Sequence, residues 1–390
     1  MKSISIDDLK AKHVYIYGAG TYGSITKKIL SENSIDVEGF IDSNATMIKS
    51  FQGKSVILPE QIPEIMDRVI LVASLNHIQE MMDKLNSLNV KDYYSIDEVL
   101  DAGSYSDYFN EYEKEIIEKK ERYKAKLSGL NSYKIIISNI DLVVTEYCNL
   151  SCHGCGSLMP LYKKPEHISL DEIMVPFDRY LDSIDELLEL RILGGETFLY
   201  PDLAALLKHV INSEKIKKII IFTNATIIPE DDVMELIANE KVSIHVANYG
   251  RVSKELDKLI AVCDENNIRY YVHDYLEWKD MGNLDFRDYD SKKLRELFMS
   301  CDNKNCSSFY RGKVYVCPRA AHGERLGYFK NREDEVIDFN IEKPIEMIRK
   351  KIRDMSRKNC YSACNYCSGN NIYNKTITAA QQINKELTWK

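Results

Sequence analysis

Cysteine placement says most about the chemistry of this 390-residue chain. The first 147 residues contain none. Cys148, Cys152 and Cys155 then fall together, Cys263 stands alone, and Cys301, Cys306, Cys317, Cys360, Cys364 and Cys367 crowd the end. Small core residues do not bunch in this way, and in a reducing compartment clustered cysteine is more often ligand or catalyst than disulfide. The loop Cys148-Asn-Leu-Ser-Cys152-His-Gly-Cys155 follows the strand-like DLVVTEY and can wrap three thiolates around one inorganic centre. Two fillings suit it. One is a four-iron cube with one iron left open to a non-protein ligand; the other is zinc completed by His153 or a distant cysteine.

Polar loops recur where later strands end. Leu193-Gly194-Gly195-Glu196 closes the next strand. Its glycines let backbone approach a ligand, and its carboxylate can bind a positively charged amino group. An ordinary strand-to-helix turn has the same composition. Thr223-Asn224 ends IIIFTN, and Asn248-Tyr249-Gly250-Arg251 follows VSIHVAN; each also reads as a plain polar loop. In the tail, Cys301, Cys317, Cys364 and Cys367 offer four thiolates from two loops, with Cys306 as the replacement for Cys301. Four thiolates enclose either a second cluster or a closed zinc site. Cys263 reads as buried packing. Trp278, with Asp280-Met281-Gly282, fits a pocket wall and a core plug equally. Arg319 and His322 suit an anionic substrate or, preferred here, a stabilised loop.

The elements that must position these residues form two α/β series. Residues 13–17, VEGFI ending at Asp42, RVILVAS and KDYYSI alternate with helices, which implies parallel strands joined by crossovers. Gly18-x-Gly20-x-x-Gly23 lies between the first strand and helix. This is the context of a dinucleotide fingerprint, with amides facing a pyrophosphate and Asp42 reaching a ribose. Residues 1–104 are therefore expected to form a Rossmann-like domain. A Tyr-, Glu- and Lys-rich stretch from about Ser106 to Lys126 reads as an exposed linker helix within 105–133. Strand-like segments then recur from residue 134 to 295, enough for a partial (β/α)6 TIM-like barrel whose chemistry sits at strand ends. The cysteine-rich remainder, 296–390, with the hairpin SSFYRGKVYVC, is expected to be a small α+β domain.

Cys148/Cys152/Cys155 in the CxxxCxxC form, Gly194-Gly195-Glu196 after the next strand and the run of βα units together resemble the radical S-adenosylmethionine (SAM) superfamily. The resemblance implies a [4Fe–4S] cluster whose open iron binds SAM through its amino and carboxylate groups. Reduction then cleaves SAM to methionine and a 5′-deoxyadenosyl radical that abstracts hydrogen from substrate. It also implies SAM contacts at Thr223, Asn224, Asn248 and Arg251, and a flavodoxin- or ferredoxin-type electron donor. Two departures stand out: Gly154 replaces the usual aromatic before the third cysteine, and Thr197 replaces the usual Pro after Gly-Gly-Glu. The tail resembles the twitch domain, a relative of SPASM, which implies one auxiliary [4Fe–4S] cluster. A spare cysteine near substrate, Cys306 or Cys360, could then donate a hydrogen atom and turn oxidation into epimerisation. The N-terminal unit resembles truncated Rossmann-like domains that precede sugar-modifying enzymes of bacterial surface-polysaccharide pathways. There it holds a nucleotide-sugar or serves only assembly.

Composition narrows the class. Hydrophobic residues at 44% and charged residues at 29% describe a chain able to bury a core. A net charge of -8 disfavours nucleic acid as a partner. No apolar run approaches the roughly 18 residues of a membrane span, and MKSISIDDLK lacks a signal-peptide stretch; a cytoplasmic location is expected. The reading is an enzyme that oxidises or epimerises a sugar, aminocyclitol or nucleotide-linked saccharide. Peptide maturation is the alternative within radical chemistry, disfavoured because no winged-helix peptide-recognition module is evident. A zinc-stabilised nucleotide-binding scaffold and a nicotinamide dehydrogenase are the alternatives outside it.

Overall fold

The computed structural model describes residues 1–390 apart from 66, 76, 104–108, 110–112, 115, 116, 118, 119, 131–133 and 384–390. Two compact units divide the chain, Met1–Ser138 and Asn139–Lys390.

In the first unit the order is α1 (Ile6–Leu9), β1 (Val14–Tyr17), α2 (Thr21–Glu32), β2 (Val37–Ile41), β3 (Ser50–Phe51) and β4 (Lys54–Ile57). These are followed by β5 (Val69–Val72), α3 (Ile78–Ser87), β6 (Tyr93–Ser95), α4 (Asp97–Asp101) and α5 (Lys120–Leu130). The sheet runs β3-β4-β2-β1-β5-β6, with every neighbouring pair parallel except β3–β4. β5 reads VILV and is buried throughout, as a central strand covered on both faces must be. The β3–β4 hairpin adds strands that the sequence reading missed. It turns on Gln52 and Gly53, both at positive φ (51° and 75°), without the Asn-Gly or Asp-Gly pair that marks such turns.

Part of the expected linker helix, including residues 106–108, lies outside the described residues. The rest is not a solvated connector. Tyr123 is fully buried, its hydroxyl donating to Val72 O at 2.7 Å and accepting from Ile96 N at 3.3 Å. Lys28 Nζ donates to the buried carboxylate of Glu113 at 2.6 Å. Glu and Lys dominate the composition of this stretch, but its few apolar side chains decide where it lies.

The second unit begins with β7 (Ile140–Val143), α6 (Leu170–Asp182), β8 (Leu190–Leu193), α7 (Leu203–Ile211), β9 (Ile219–Thr223) and α8 (Asp231–Ile237). It continues through β10 (Val242–Asn248), α9 (Leu256–Glu265), β11 (Tyr270–Asp274), β12 (Glu277–Lys279) and α10 (Ser291–Met299). The tail supplies β13 (Ser308–Tyr310), β14 (Lys313–Tyr315), α11 (Pro318–Arg325), β15 (Ile337–Asp338), α12 (Ile345–Ser356) and β16 (Thr376–Thr378). Its main sheet runs β11-β10-β9-β8-β7-β13-β14-β15. The first six of these strands are mutually parallel. This is the α/β architecture of a partial barrel, with strand ends gathered on one side.

The sixth parallel strand, β13, comes from the cysteine-rich tail. It pairs with β7 through Ser308↔Asp141 and Phe309↔Leu142. The hairpin that continues into β14 was legible from Arg311-Gly312, both at positive φ. Its parallel pairing with a strand far away in sequence carries no local signal.

Side chains reinforce that seam. Glu146, just past β7, has no exposed side-chain surface. Its Oε1 accepts from the Tyr310 hydroxyl, from Arg311 Nη2 at 3.1 Å and from Arg325 Nε at 3.1 Å. Burial works against the charge, but these donors win and hold the carboxyl below its usual range. Next to it, His322 is fully buried, with Nδ1 2.6 Å from the Tyr162 hydroxyl.

Burial lowers the His322 pKa from 6.5 to about 4. The unfolded imidazole therefore takes up its proton first as pH falls. The stability contributed by the neutral ring is complete above about 6.5 and lost as pH drops through about 4, a swing on the order of 3 kcal/mol. Denaturation measured between those pH values should show a smaller loss of stability in His322→Gln than in the wild type.

Candidate metal and SAM centre

Three strand ends meet at the first cysteine loop. Gly194 and Gly195 leave β8 pressed against the chain emerging from β7. A Cβ at Gly194 would lie 2.5 Å from Thr145 O, and one at Gly195 would lie 2.1 Å from Tyr147 O and 2.6 Å from Cys148 Cβ. The glycines thus admit a neighbouring loop, the one that carries Cys148.

Glu196 turns inward and is 1% exposed. Its Oε1 accepts from Thr223 Oγ1 at 2.8 Å and Phe198 N at 3.1 Å, and its Oε2 from Asn224 N at 2.8 Å. Burial pushes its pKa upward, against these donors. Within this arrangement Glu196 orients the end of β9. The Asn224 side chain faces the cysteine loop as a result, with Nδ2 3.2 Å from Asn149 Oδ1 and 4.0 Å from Cys148 Sγ. Thr226 accepts from Asn149 Nδ2 at 2.6 Å and closes the ring.

Cys148, Cys152 and Cys155 are free thiols in close electrostatic contact. Burial pushes Cys148 up to about 12 and Cys152 up to about 11, and raises Cys155 as well. Thiols so desolvated stay protonated until a metal displaces the proton. Gly154 explains one departure noted in the sequence. It sits at φ 72°, and a Cβ there would lie 2.3 Å from Ile377 Cδ1, so β16 occupies the space of a side chain at this position.

Two further side chains face the loop: Gln382, which had no sequence signal, and Tyr249, from the polar loop after β10 noted in the sequence. The segment after β16 runs antiparallel to the loop. There Gln382 accepts from Ser151 N at 2.7 Å and donates from Nε2 to Cys152 Sγ at 3.2 Å. Tyr249, just past β10, is close enough for all three thiols to raise its pKa, although burial is the larger cause. Its ring packs edge-on against Trp278 at 5.5 Å and tilted against Tyr275 at 5.9 Å. Its neighbours are turned elsewhere: Asn248 Nδ2 donates to Asp274 Oδ1 at 2.6 Å, and Arg251 is exposed.

In the tail, Cys301, Cys317, Cys364 and Cys367 line a single cavity. Backbone amides point at these sulfurs, Asn370 N to Cys301 Sγ and Gly369 N to Cys367 Sγ, each at 3.2 Å. Cys317 stands at the N-cap of α11, and burial raises its thiol well above the usual range. Neither Cys306 nor Cys360 lines the cavity. Burial pushes the Cys306 thiol up to about 12, and among charges Asp141 and Arg191 of the barrel strands act on it most.

Among the described residues, no three His, Cys, Asp or Glu side chains stand close enough to hold a single metal ion. A cube spreads its thiolates over separate irons, so its ligands stand farther apart than those of one ion. Two all-cysteine donor sets, mostly half-buried and met by N–H donors, fit iron–sulfur groups.

Residues 142–250 match the family model described as the radical SAM superfamily. That stretch of the chain is a radical SAM domain. A domain of this family brings SAM and a [4Fe–4S] cluster as cofactors, and the cysteine-rich tail accords with an auxiliary cluster. Residues 10–96 match the family described as C2185-like, N-terminal. Among solved structures, this radical SAM chain is similar to native anSMEcpe with bound AdoMet and Kp18Cys peptide. That match has 17% identity and a TM-score of 0.29, over 35% of this chain and 42% of that one. It is also similar to Streptococcus suis SuiB, at 19% identity and a TM-score of 0.26 over 51% and 52% of the two chains. A third is BtrN in complex with AdoMet and 2-DOIA, at 14% identity and a TM-score of 0.34 over 60% and 94%. The chain spans less than half the length of the first of these. No curated protein matches the chain.

In the N-terminal unit, Gly18 (φ 118°) and Gly23 are closed to side chains, since a Cβ would lie 2.6 Å from Ala73 O and 2.0 Å from Gly18 O respectively. Gly20 is open, with nothing within 4 Å. Asp42 holds this loop, its Oδ2 accepting from Ala19 N and its Oδ1 from Asn44 N, each at 2.9 Å. Among the described residues no helix is long and apolar enough to cross a membrane.

Two outcomes check these placements. Gly195→Ala should cost about 1–3 kcal/mol through overpacking and lower the iron bound at the first loop, whereas Gly20→Ala should leave iron content unchanged. Iron analysis should give about eight irons in the wild type, about four in Cys317→Ala, and about eight in Cys306→Ala and Cys360→Ala.

Proposed function

We propose that this chain is a radical SAM oxidoreductase or epimerase acting on a sugar, aminocyclitol or nucleotide-linked saccharide. The observation that carries the proposal is the aromatic cluster that starts at Tyr249, the ring next to the three thiols. Tyr249 packs against Tyr275 and Trp278, while the Asn248 amide and the Asp274 carboxylate, turned away from the loop, bond to each other at the rim of this cluster. Rings suit the apolar face of a polyhydroxylated ligand, and amides and carboxylates suit its hydroxyls.

In this reading Cys148, Cys152 and Cys155 hold the first cluster, and three thiolates leave one iron for SAM. When bound and reduced by a flavodoxin- or ferredoxin-type donor, cluster and SAM together supply a 5′-deoxyadenosyl radical able to take a hydrogen atom from substrate. The protein's part is placement and exclusion of water. Glu196 fixes Thr223 and Asn224, Asn224 and Asn149 meet the SAM side of the loop, and Tyr249 screens it from solvent. Cys301, Cys317, Cys364 and Cys367 hold the auxiliary cluster. Cys306 lies outside that set and is the thiol available to return a hydrogen atom in an epimerisation. The N-terminal unit is assigned to nucleotide or nucleotide-sugar holding through Gly18, Gly20 and Gly23.

Anaerobic incubation with SAM and dithionite should yield 5′-deoxyadenosine, and Cys152→Ala should abolish it. A panel of sugar nucleotides, aminocyclitols and peptides in deuterated buffer then identifies the substrate. Solvent deuterium in the product marks epimerisation, and a new carbonyl marks oxidation. Turnover of peptides alone would defeat the saccharide assignment, and stoichiometric zinc with no visible absorption would defeat the radical one. If the product is an epimer, Cys306→Ala should lose the solvent-derived hydrogen; an unchanged product removes Cys306 from that role.

A further inference from the structure

Arg319 stands in the first turn of α11, two residues past Cys317, and is only 4% exposed. Its Nη2 donates to Gly282 O at 2.9 Å and Asn283 O at 3.2 Å. Those carbonyls are themselves fixed, because Gly282 N donates to Asp280 Oδ1 and Ser368 N to Met281 O, each at 2.8 Å. Its Nε has no hydrogen-bond partner and is buried. The side chain lines the same cavity as Cys301, Cys317, Cys364 and Cys367.

A guanidinium keeps its charge in proteins, and burying it with neutral partners alone costs several kcal/mol. Loop stabilisation, the role favoured from sequence, uses only Nη2. It explains neither the buried positive charge nor the open Nε–H. An anion at the cavity answers both, and the four cysteines that surround it supply that anion once they are deprotonated on a metal group.

We propose that Arg319 sets the reduction potential of the iron–sulfur group held by Cys301, Cys317, Cys364 and Cys367. The inference rests on reading the tail as a cluster site. Arg319 acts here as a tuning residue. Adding one electron from an external low-potential reductant of the dithionite class makes the thiolate-bound group more negative by one charge, with no bond made or broken. A fixed positive charge and an N–H donor beside the sulfurs stabilise that reduced state, and local charge and hydrogen bonds are among the factors that set such potentials.

The test is an EPR-monitored redox titration of the full-length reconstituted protein, with iron and sulfide counted on each sample. The signal that does not respond to added SAM reports the tail group. Arg319→Met should weaken its reduction equilibrium at least tenfold, about 59 mV for one electron, and Arg319→Lys, which keeps the charge but loses Nε, should fall between Arg319→Met and the wild type. If Arg319→Met fails to hold its tail iron, Arg319→Gln, which keeps an N–H donor without the charge, makes the same comparison. Equal potentials in the wild type and in a neutral variant that retains its tail iron overturn the proposal. A wild-type protein with about four irons instead of about eight overturns the reading of the tail beneath it, and the count shows which of the two has failed.

Discussion

A buried carboxylate orders the reactive side of this molecule. Glu196 has almost no contact with solvent, and a carboxylate in that position must be met by donors or it costs several kcal/mol. Thr223, Asn224 and Phe198 provide them. Satisfying one charge therefore fixes the turn after β9 and aims the Asn224 amide at the loop of Cys148. Gly194 and Gly195 make the arrangement possible by letting β8 and the cysteine loop pack backbone against backbone.

The tail completes the barrel unit and reaches the first metal loop from several directions. β13 extends the parallel sheet beside β7, and the Tyr310, Arg311 and Arg325 donors converge on Glu146. The chain beyond β16 fills the space at Gly154 and brings Gln382 to Cys152. Arg319 lines the second cysteine cavity while its charge reaches Cys155. Each of these contacts comes from the tail, so a change in the tail acts on the first loop through packing and charge, without altering any of its three cysteines.

Much of this was legible in the residues. Cysteine spacing marked two all-thiol sets, and the choice of Cys301, Cys317, Cys364 and Cys367 corresponds to the four that share a cavity. Strand calls at VYIY, VEGFI, VILV and IIIFT agree with the elements seen, because runs of β-branched residues bounded by polar turns are local signals. Other features had no such signal. Glu196 reads as a ligand for an amino group; that its oxygens also accept from Thr223 and Asn224 at the end of β9 depends on how two strands sit side by side. Tyr123 is hidden in a Glu- and Lys-rich stretch, where composition speaks for solvent and a single aromatic decides otherwise.

By itself the sequence determined which atoms could bind metal and which strand ends would carry them, since ligand type, spacing and hydrophobic alternation are written within short stretches of chain. Tertiary structure alone decided which polar groups face each other: Tyr249 and Gln382 at the first loop, Cys306 turned toward the barrel, Arg319 at the second cavity. The physical reason is that these encounters join residues far apart in the chain. Their energies come from burial and charge compensation, which arise only when the strands have been brought together.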